Sequence, residues 1–238
     1  MKINDLIEVK YISRPNRFTI KFKNSDNKLD IAHLHDPGRL KELLIENTPI
    51  LIKYVPTYKK TNRKTKYNVI AIKDKEDWIL LNSNYHNKIV EELIDNHEIP
   101  GLEKYHVEKP EYTYGNSRLD FLLTDEYKNK MYLEVKGCTL QINKLAKFPD
   151  APTKRGTKHL NELINIRKNH GNSAVVILIL HNKAETFMPN YDTDPEFSNT
   201  LKKAYENNVE IYPFHMITKT ENDSLIIEAD KKLPLILK

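Results

Sequence analysis

Between residues 6 and 81 the chain repeatedly alternates apolar and polar positions, in LIEVKYI, RFTIKFK, LDIAHL, ILIKYV, NVIAIK and WILL. Alternation sends successive side chains to opposite faces, so each run predicts a short strand. SRPN, KNSDNK and HDPGR separate the runs and supply turn residues. LKELLI, just after Gly38, predicts one short helical piece. Five or six short strands with one small helix, and no strand–helix–strand unit, predict a small closed barrel of the OB type.

The pattern changes after Asn82. NYHNKIVEELIDNHEI sets Ile89, Leu93 and Ile94 at helical spacing, and HVEKPEYTY, SRLDFLL and MYLEVK follow as extended runs. TKHLNELINIRKNHG predicts a helix with Thr157 as N-cap and Gly171 as its stop. AVVILIL is apolar throughout, as expected of a strand buried on both faces. A further helix, capped by Asp192 or Asp194, runs through Asn207 and is followed by the strand VEIYPF. Helices alternating with strands predict a mixed α/β sheet. The division falls near Asn82 to Asn84, giving domains 1–82 and 83–238 in an α+β two-domain protein.

Two of the extended runs carry unexpected charge. Glu134 and Lys136 share one strand face, opposite that of Leu133 and Val135. With a turn centred near Tyr127, Asp120 lies opposite Glu134 across a hairpin, at about 4.5–5.5 Å between Cβ atoms. Two carboxylates that close repel, and a hard divalent cation with oxygen ligands is the natural occupant. Mg²⁺ or Mn²⁺ held there, with Lys136 beside it, suits phosphodiester hydrolysis. A solvated hairpin in which Lys136 pairs with Asp120 would carry the same residues. Against it stand the apolar character of LDFLL and MYLEV and the basic cluster that follows. KFPDAPTKRGTKHLNEL sets Lys154, Arg155, Lys158 and His159 around Gly156 at a helix start, where free N–H groups and positive charge make a phosphate site.

Composition adds modestly. The formal net charge is +5, which favours anionic partners and nucleic acid first, although a chain rich in Lys, Asn and Ile can be basic for other reasons. One cysteine, Cys138, excludes an internal disulfide, and its burial is favoured over a nucleophilic role. No run of eighteen apolar residues exists, and MKINDLIEVKY lacks the pattern of a signal peptide. The expectation is a cytoplasmic protein. KKTNRKTKY, from Lys59 to Tyr67, is the densest basic run of the first half, and Lys59, Lys60, Arg63 and Lys64 with Tyr54, Tyr58 and Tyr67 nearby could grip a strand of nucleic acid. Arg39 can reach phosphate from its turn. Arg17 and Phe18 leave stacking and core roles open. His33, His35 and Asp36 read as a turn rather than a metal site.

The blocks SRLDFLL, LEVKGCTL, FPDAPTKRGTKHLNEL and DPEFSNTLKKA, with NRFTIKF, AHLHDPGRLKELL, NRKTKYNV and NSNYHNKIVEELI before them, resemble the sugar fermentation stimulation protein family across most of the chain. The resemblance implies DNA binding, an OB-like N-terminal domain and a C-terminal domain similar to PD-(D/E)xK nucleases. It implies Asp120 at the proline-aspartate position, where Leu119 replaces the proline, and Glu134 and Lys136 as the Glu-x-Lys element. It also implies a helix glutamate completing the metal set, with Glu91 chosen over Glu92. The alternative is a non-catalytic DNA-binding regulator, related to sugar metabolism by the family name, that retains a nuclease-like shell. A protein-interaction module with decorative charge is a third class. RNA as substrate stays open, as does a homodimer: dimers are common in this fold, but no seam is visible.

Overall fold

The computed structural model describes residues 1–238 and divides into two compact units. The first takes in Met1–Tyr85, Leu180–Asn182 and Ile217–Glu228. It contains β1 (Lys2–Ile3), β2 (Leu6–Asn16), β3 (Thr19–Lys23), β4 (Leu29–His33), β5 (Pro49–Tyr54), β6 (Tyr67–Asp74) and β7 (Asp77–Leu80). β2 pairs antiparallel with β3 and β5, β3 with β4, and β5 with β6. A parallel pairing of Ala32 with Tyr67 and His33 with Asn68 then joins β4 to β6 and closes the five strands into a barrel. Closure removes the open sheet edges that would otherwise invite association. Ile20, Phe22, Ala32, Ile50, Ile52 and Val69 are fully enclosed and form its core. The expected OB barrel is therefore present, and register shifts in β2 around Ser13 bend the strand as barrel closure requires.

LKELLI does not form the expected helix. Leu40 has a positive φ of 52°, and turns carry the chain from there to β5. Leu40 and Leu43 are buried, so burial of two side chains fixes a segment too short to nucleate a helix.

The second unit comprises His86–Ile179, Lys183–Met216 and Ala229–Lys238. Its elements are α1 (His86–Asp95), β8 (His106–Tyr114), β9 (Ser117–Thr124), β10 (Lys130–Cys138), β11 (Gln141–Ile142), β12 (Leu145–Phe148), α2 (Lys154–Lys168), β13 (Asn172–Ile179), β14 (Thr186–Pro189), α3 (Pro195–Glu206), β15 (Glu210–Glu221) and β16 (Ser224–Lys232), the last two reaching into the first unit's residues. Five strands of its seven-stranded sheet lie in the order β15-β13-β10-β9-β8. β10, β13 and β15 run parallel, while β9 and β8 fold back antiparallel. Leu160, Leu163 and Ile164 of α2 and Phe197, Leu201 and Ala204 of α3 pack with Val175, Ile177 and Ile179 of β13. β13 is buried at every position from Ser173 to Ile179, as a strand covered on both faces must be. The expected mixed α/β domain is thus present. No helix is long and apolar enough to cross a membrane.

Two helix boundaries differ from expectation. α2 starts at Lys154, with Thr153 as N-cap accepting from Gly156 N at 3.1 Å. Asp194 accounts for this: its Oδ2 accepts from Thr153 N at 2.7 Å while its Oδ1 caps α3 by accepting from Phe197 N at 3.0 Å. One buried carboxylate thus fixes both helix starts, and Thr157 falls inside the first turn. At the other end α2 stops at Lys168 with Asn169 as its C-cap, and Gly171 N donates to Ile166 O at 2.9 Å one turn later. β12, β14 and β16 are strands that the sequence pattern did not indicate.

Candidate functional site

The β9–β10 register places Lys130 opposite Thr124, Met131 opposite Leu123, Tyr132 opposite Leu122 and Leu133 opposite Phe121. The turn is therefore centred on Tyr127, and the next pair in line is Glu134 with Asp120. At that point the backbone ladder ends. The Asp120 carboxylate takes over as acceptor, receiving Val135 N–H on Oδ2 at 2.8 Å. Asn87, in the first turn of α1, donates its amide to Asp120 Oδ1 at 2.9 Å.

Glu134 is 2% exposed. Its Oε1 receives the Lys136 ammonium and meets His159 Nδ1 at 2.5 Å, whereas its Oε2 is buried without any partner. Burial and the Glu134 charge push the Asp120 carboxyl above the usual carboxylate range, against the pull of Lys136, Asn87 and Val135. Burial would also raise Glu134, but Lys136 and His159 outweigh it and hold its carboxyl below the usual range. Two acids pushed in opposite directions and one unpartnered carboxylate oxygen fit a hard divalent cation, because such an ion supplies the positive charge Asp120 lacks and the partner Oε2 lacks.

Asp120, Glu134 and Lys136 are thus brought together. Glu91 is not: no group of three or more His, Cys, Asp or Glu side chains is placed to hold a metal ion. Glu91 lies one turn beyond Asn87 on α1, and it is Asn87 that touches Asp120. His159, expected among the nucleic-acid contacts, is instead 4% exposed and turned onto Glu134. It sits on the buried stripe of α2 between Gly156 and Leu163, which decides its direction. Lys154 and Arg155 are exposed in the first turn of α2, and Lys158 donates to Asn116 O at 2.7 Å.

In the barrel unit Lys59, Lys60 and Lys64 are exposed, while Arg63 is held by Asn68 Oδ1 at 2.5 Å. Tyr54, Tyr58 and Tyr67 form a ring cluster with centroids 5.9 and 5.6 Å from Tyr54. Arg39 is exposed, and Arg17 Nε donates to Pro37 O at 2.9 Å. Phe18 is 46% exposed, which removes the core role left open by its sequence.

Sequence reasoning missed Asn87 and His86. His86 keeps part of its surface open to solvent, but its Nε2 is sealed from water without a partner. Burial and the Lys136 charge lower its imidazole from 6.5 to about 4. The only available signal was their place at the start of the predicted helix.

Two family models match the chain: the SfsA N-terminal OB domain over residues 12–81 and the sugar fermentation stimulation protein RE domain over residues 84–222. A sugar fermentation stimulation protein homolog of Methanosphaera stadtmanae is 59% identical over 238 residues, spanning 100% of this chain and 98% of its own. The homolog of Methanothermobacter thermautotrophicus is 38% identical over 226 residues, spanning 95% of this chain and 92% of its own. Among solved structures, Pyrococcus furiosus SfsA in complex with Ca²⁺ superposes with a TM-score of 0.89 over 100% of this chain and 98% of that one. Its 24% identity makes that a likeness of fold.

Proposed function

The chain belongs to the sugar fermentation stimulation protein family, and we propose that it binds DNA and hydrolyses phosphodiester bonds with a divalent cation at the β9–β10 site. The observation that carries this reading is the buried pairing of Asp120 with Glu134, one of whose carboxylate oxygens has no partner. Asp120 and Glu134 would hold Mg²⁺ or Mn²⁺, which supplies Lewis acidity and a more acidic bound water. Glu91 would support it from outside, through water. Asn87 and the Val135 N–H fix Asp120, and His159 fixes Glu134. Lys136 neutralises charge that builds on the scissile phosphate. Lys154 and Arg155, exposed in the first turn of α2, hold a neighbouring phosphate. The barrel, domain 1–82, supplies binding through Lys59, Lys60, Arg63, Lys64, Arg17 and Arg39, and domain 83–238 the chemistry, in the cytoplasm. The Ca²⁺ held by Pyrococcus furiosus SfsA supports a divalent cation in this fold.

Labelled DNA and RNA incubated with Mg²⁺, Mn²⁺ or EDTA test the reading. Metal-dependent DNA cleavage is expected, lost in both Glu134→Ala and Lys136→Ala and reduced several-fold in Glu91→Gln. Cleavage that persists in the first two variants would remove this site from the chemistry.

One observation favours a second reading, a non-catalytic DNA-binding regulator. Lys136 and His159 both engage Glu134 Oε1, so the chain's own side chains partner that oxygen. That reading gives steeply salt-dependent binding without turnover in any metal.

A further inference from the structure

Phe18 leaves 46% of its surface exposed on the barrel, next to the start of β3. It does not stand alone. The His33 ring stacks on it, with centroids 6.1 Å apart and planes 21° from parallel. His35 meets His33 edge-on at 4.3 Å. The Arg17 guanidinium lies 5.8 Å from the Phe18 centroid. Three rings in contact, one just before β3, one at the end of β4 and one in the loop that follows it, form a continuous aromatic step with a cation at its margin.

The step is held rigidly. Arg14 donates to the carbonyls of Arg17, Asp36, Gly38 and Arg39 at 2.7, 3.1, 2.7 and 3.0 Å, tying both segments together. Arg17 Nε donates to Pro37 O at 2.9 Å, and Asp36 Oδ1 accepts from Gly38 N at 2.7 Å. His35 is set by the Asn84 amide, 3.1 Å from its Nδ1. Burial, with Arg63 nearby, lowers both imidazoles below their ordinary value, so at neutral pH they stack as neutral rings and do not repel the arginines.

A fixed, solvent-facing aromatic step needs a flat apolar partner, and arginines around it need an anion. A nucleotide is both. In a duplex each base face is already covered by its neighbours, so only unpaired bases can stack on a side chain. We infer that Phe18, His33 and His35 form a stacking platform for unpaired bases of a DNA strand, with Arg17 and Arg63 at its rim for the phosphates. This rests on the nucleic-acid reading above and narrows it to substrates with a single-stranded stretch.

The test is binding measured by fluorescence anisotropy in EDTA, where cleavage plays no part. The probes are a labelled fifteen-residue oligo-deoxyadenosine, a strand of equal length made of abasic sites, and a hairpin duplex. Phe18→Ala should weaken the deoxyadenosine strand roughly 10-fold and leave the duplex within about 2-fold. Phe18→Trp should keep wild-type affinity, and circular dichroism should show both variants folded. The abasic strand should bind wild type as weakly as deoxyadenosine binds Phe18→Ala. Unchanged single-strand affinity in Phe18→Ala, an equal loss for duplex and single strand, or tight abasic binding would each overturn the platform. Cleavage assays with Mg²⁺ run separately: a protein that stacks bases but never cuts leaves the platform standing and removes only the hydrolase.

Discussion

The His86 imidazole occupies the space into which a side chain at residue 137 would grow. A Cβ built on Gly137 would overlap His86 Cε1 and lie 2.6 Å from its Nδ1. Gly137 directly follows Lys136, so this close approach seats α1 against the strand that carries two of the three site residues. Gly137→Ala should destabilise the protein by about 2 kcal/mol or more, as overpacking does when neither partner can retreat. Thermal unfolding measures it. Adding His86→Ala should recover part of the loss, and a double variant as unstable as the single one would show that another neighbour sets the constraint.

The same imidazole ties stability to acid. With a folded-state value of about 4 against 6.5 when free, His86 resists protonation in the native state. Between those values the unfolded chain binds more protons, so stability is full above pH 6.5 and falls as pH drops toward 4. The loss assigned to this group is about 2–3 kcal/mol. Urea midpoints from pH 7 to 4 should show it, and a folded His86→Gln variant should have a flatter profile there. Equal slopes for the two proteins would place the acid sensitivity elsewhere.

Asp120 has the opposite sign. Its folded-state value is raised, so the native state binds a proton more readily than the unfolded chain does, and its contribution weakens as pH rises through that window. At neutral pH in EDTA, Asp120→Asn should therefore stabilise the fold by about 1 kcal/mol, since it removes a charge facing Glu134. The same variant should lose measurable Mn²⁺ binding in calorimetry. A destabilised variant would mean that the carboxylate's bonds to Asn87 and Val135 outweigh the repulsion.

The basic loop between β5 and β6 is divided in its expected behaviour. Lys59, Lys60 and Lys64 are exposed, whereas Arg63 is engaged with Asn68. Reversing the three lysines to Glu should weaken duplex binding uniformly across sequences. It should also flatten the salt dependence by up to about 0.9 in logarithmic slope for each phosphate that the variant no longer neutralises. Titrations at several salt concentrations read both effects, and an unchanged slope would move the phosphate-binding surface elsewhere.

Much was legible because strand alternation is a local code. Alternating runs placed the barrel strands, and the unbroken AVVILIL run announced a strand covered on both faces. The spacing of two apolar runs about Tyr127 was enough to set Glu134 in line with Asp120, since a hairpin register follows from its turn. Asp194 as a cap was readable for the same reason, because a cap and its donor N–H are three residues apart.

What the sequence could not decide was which distant side chains complete each group. Asn87 stands thirty-three residues from Asp120, and His159 twenty-five from Glu134. LKELLI carries a helical pattern yet is held in turns by Leu40 and Leu43. Phe18, His33 and His35 become one aromatic step only when β3 and β4 pair. Backbone periodicity is fixed by near neighbours along the chain, so it could be read directly. The burial, charge compensation and ring stacking that give these side chains their chemistry depend on segments that meet only once the sheet and barrel have closed.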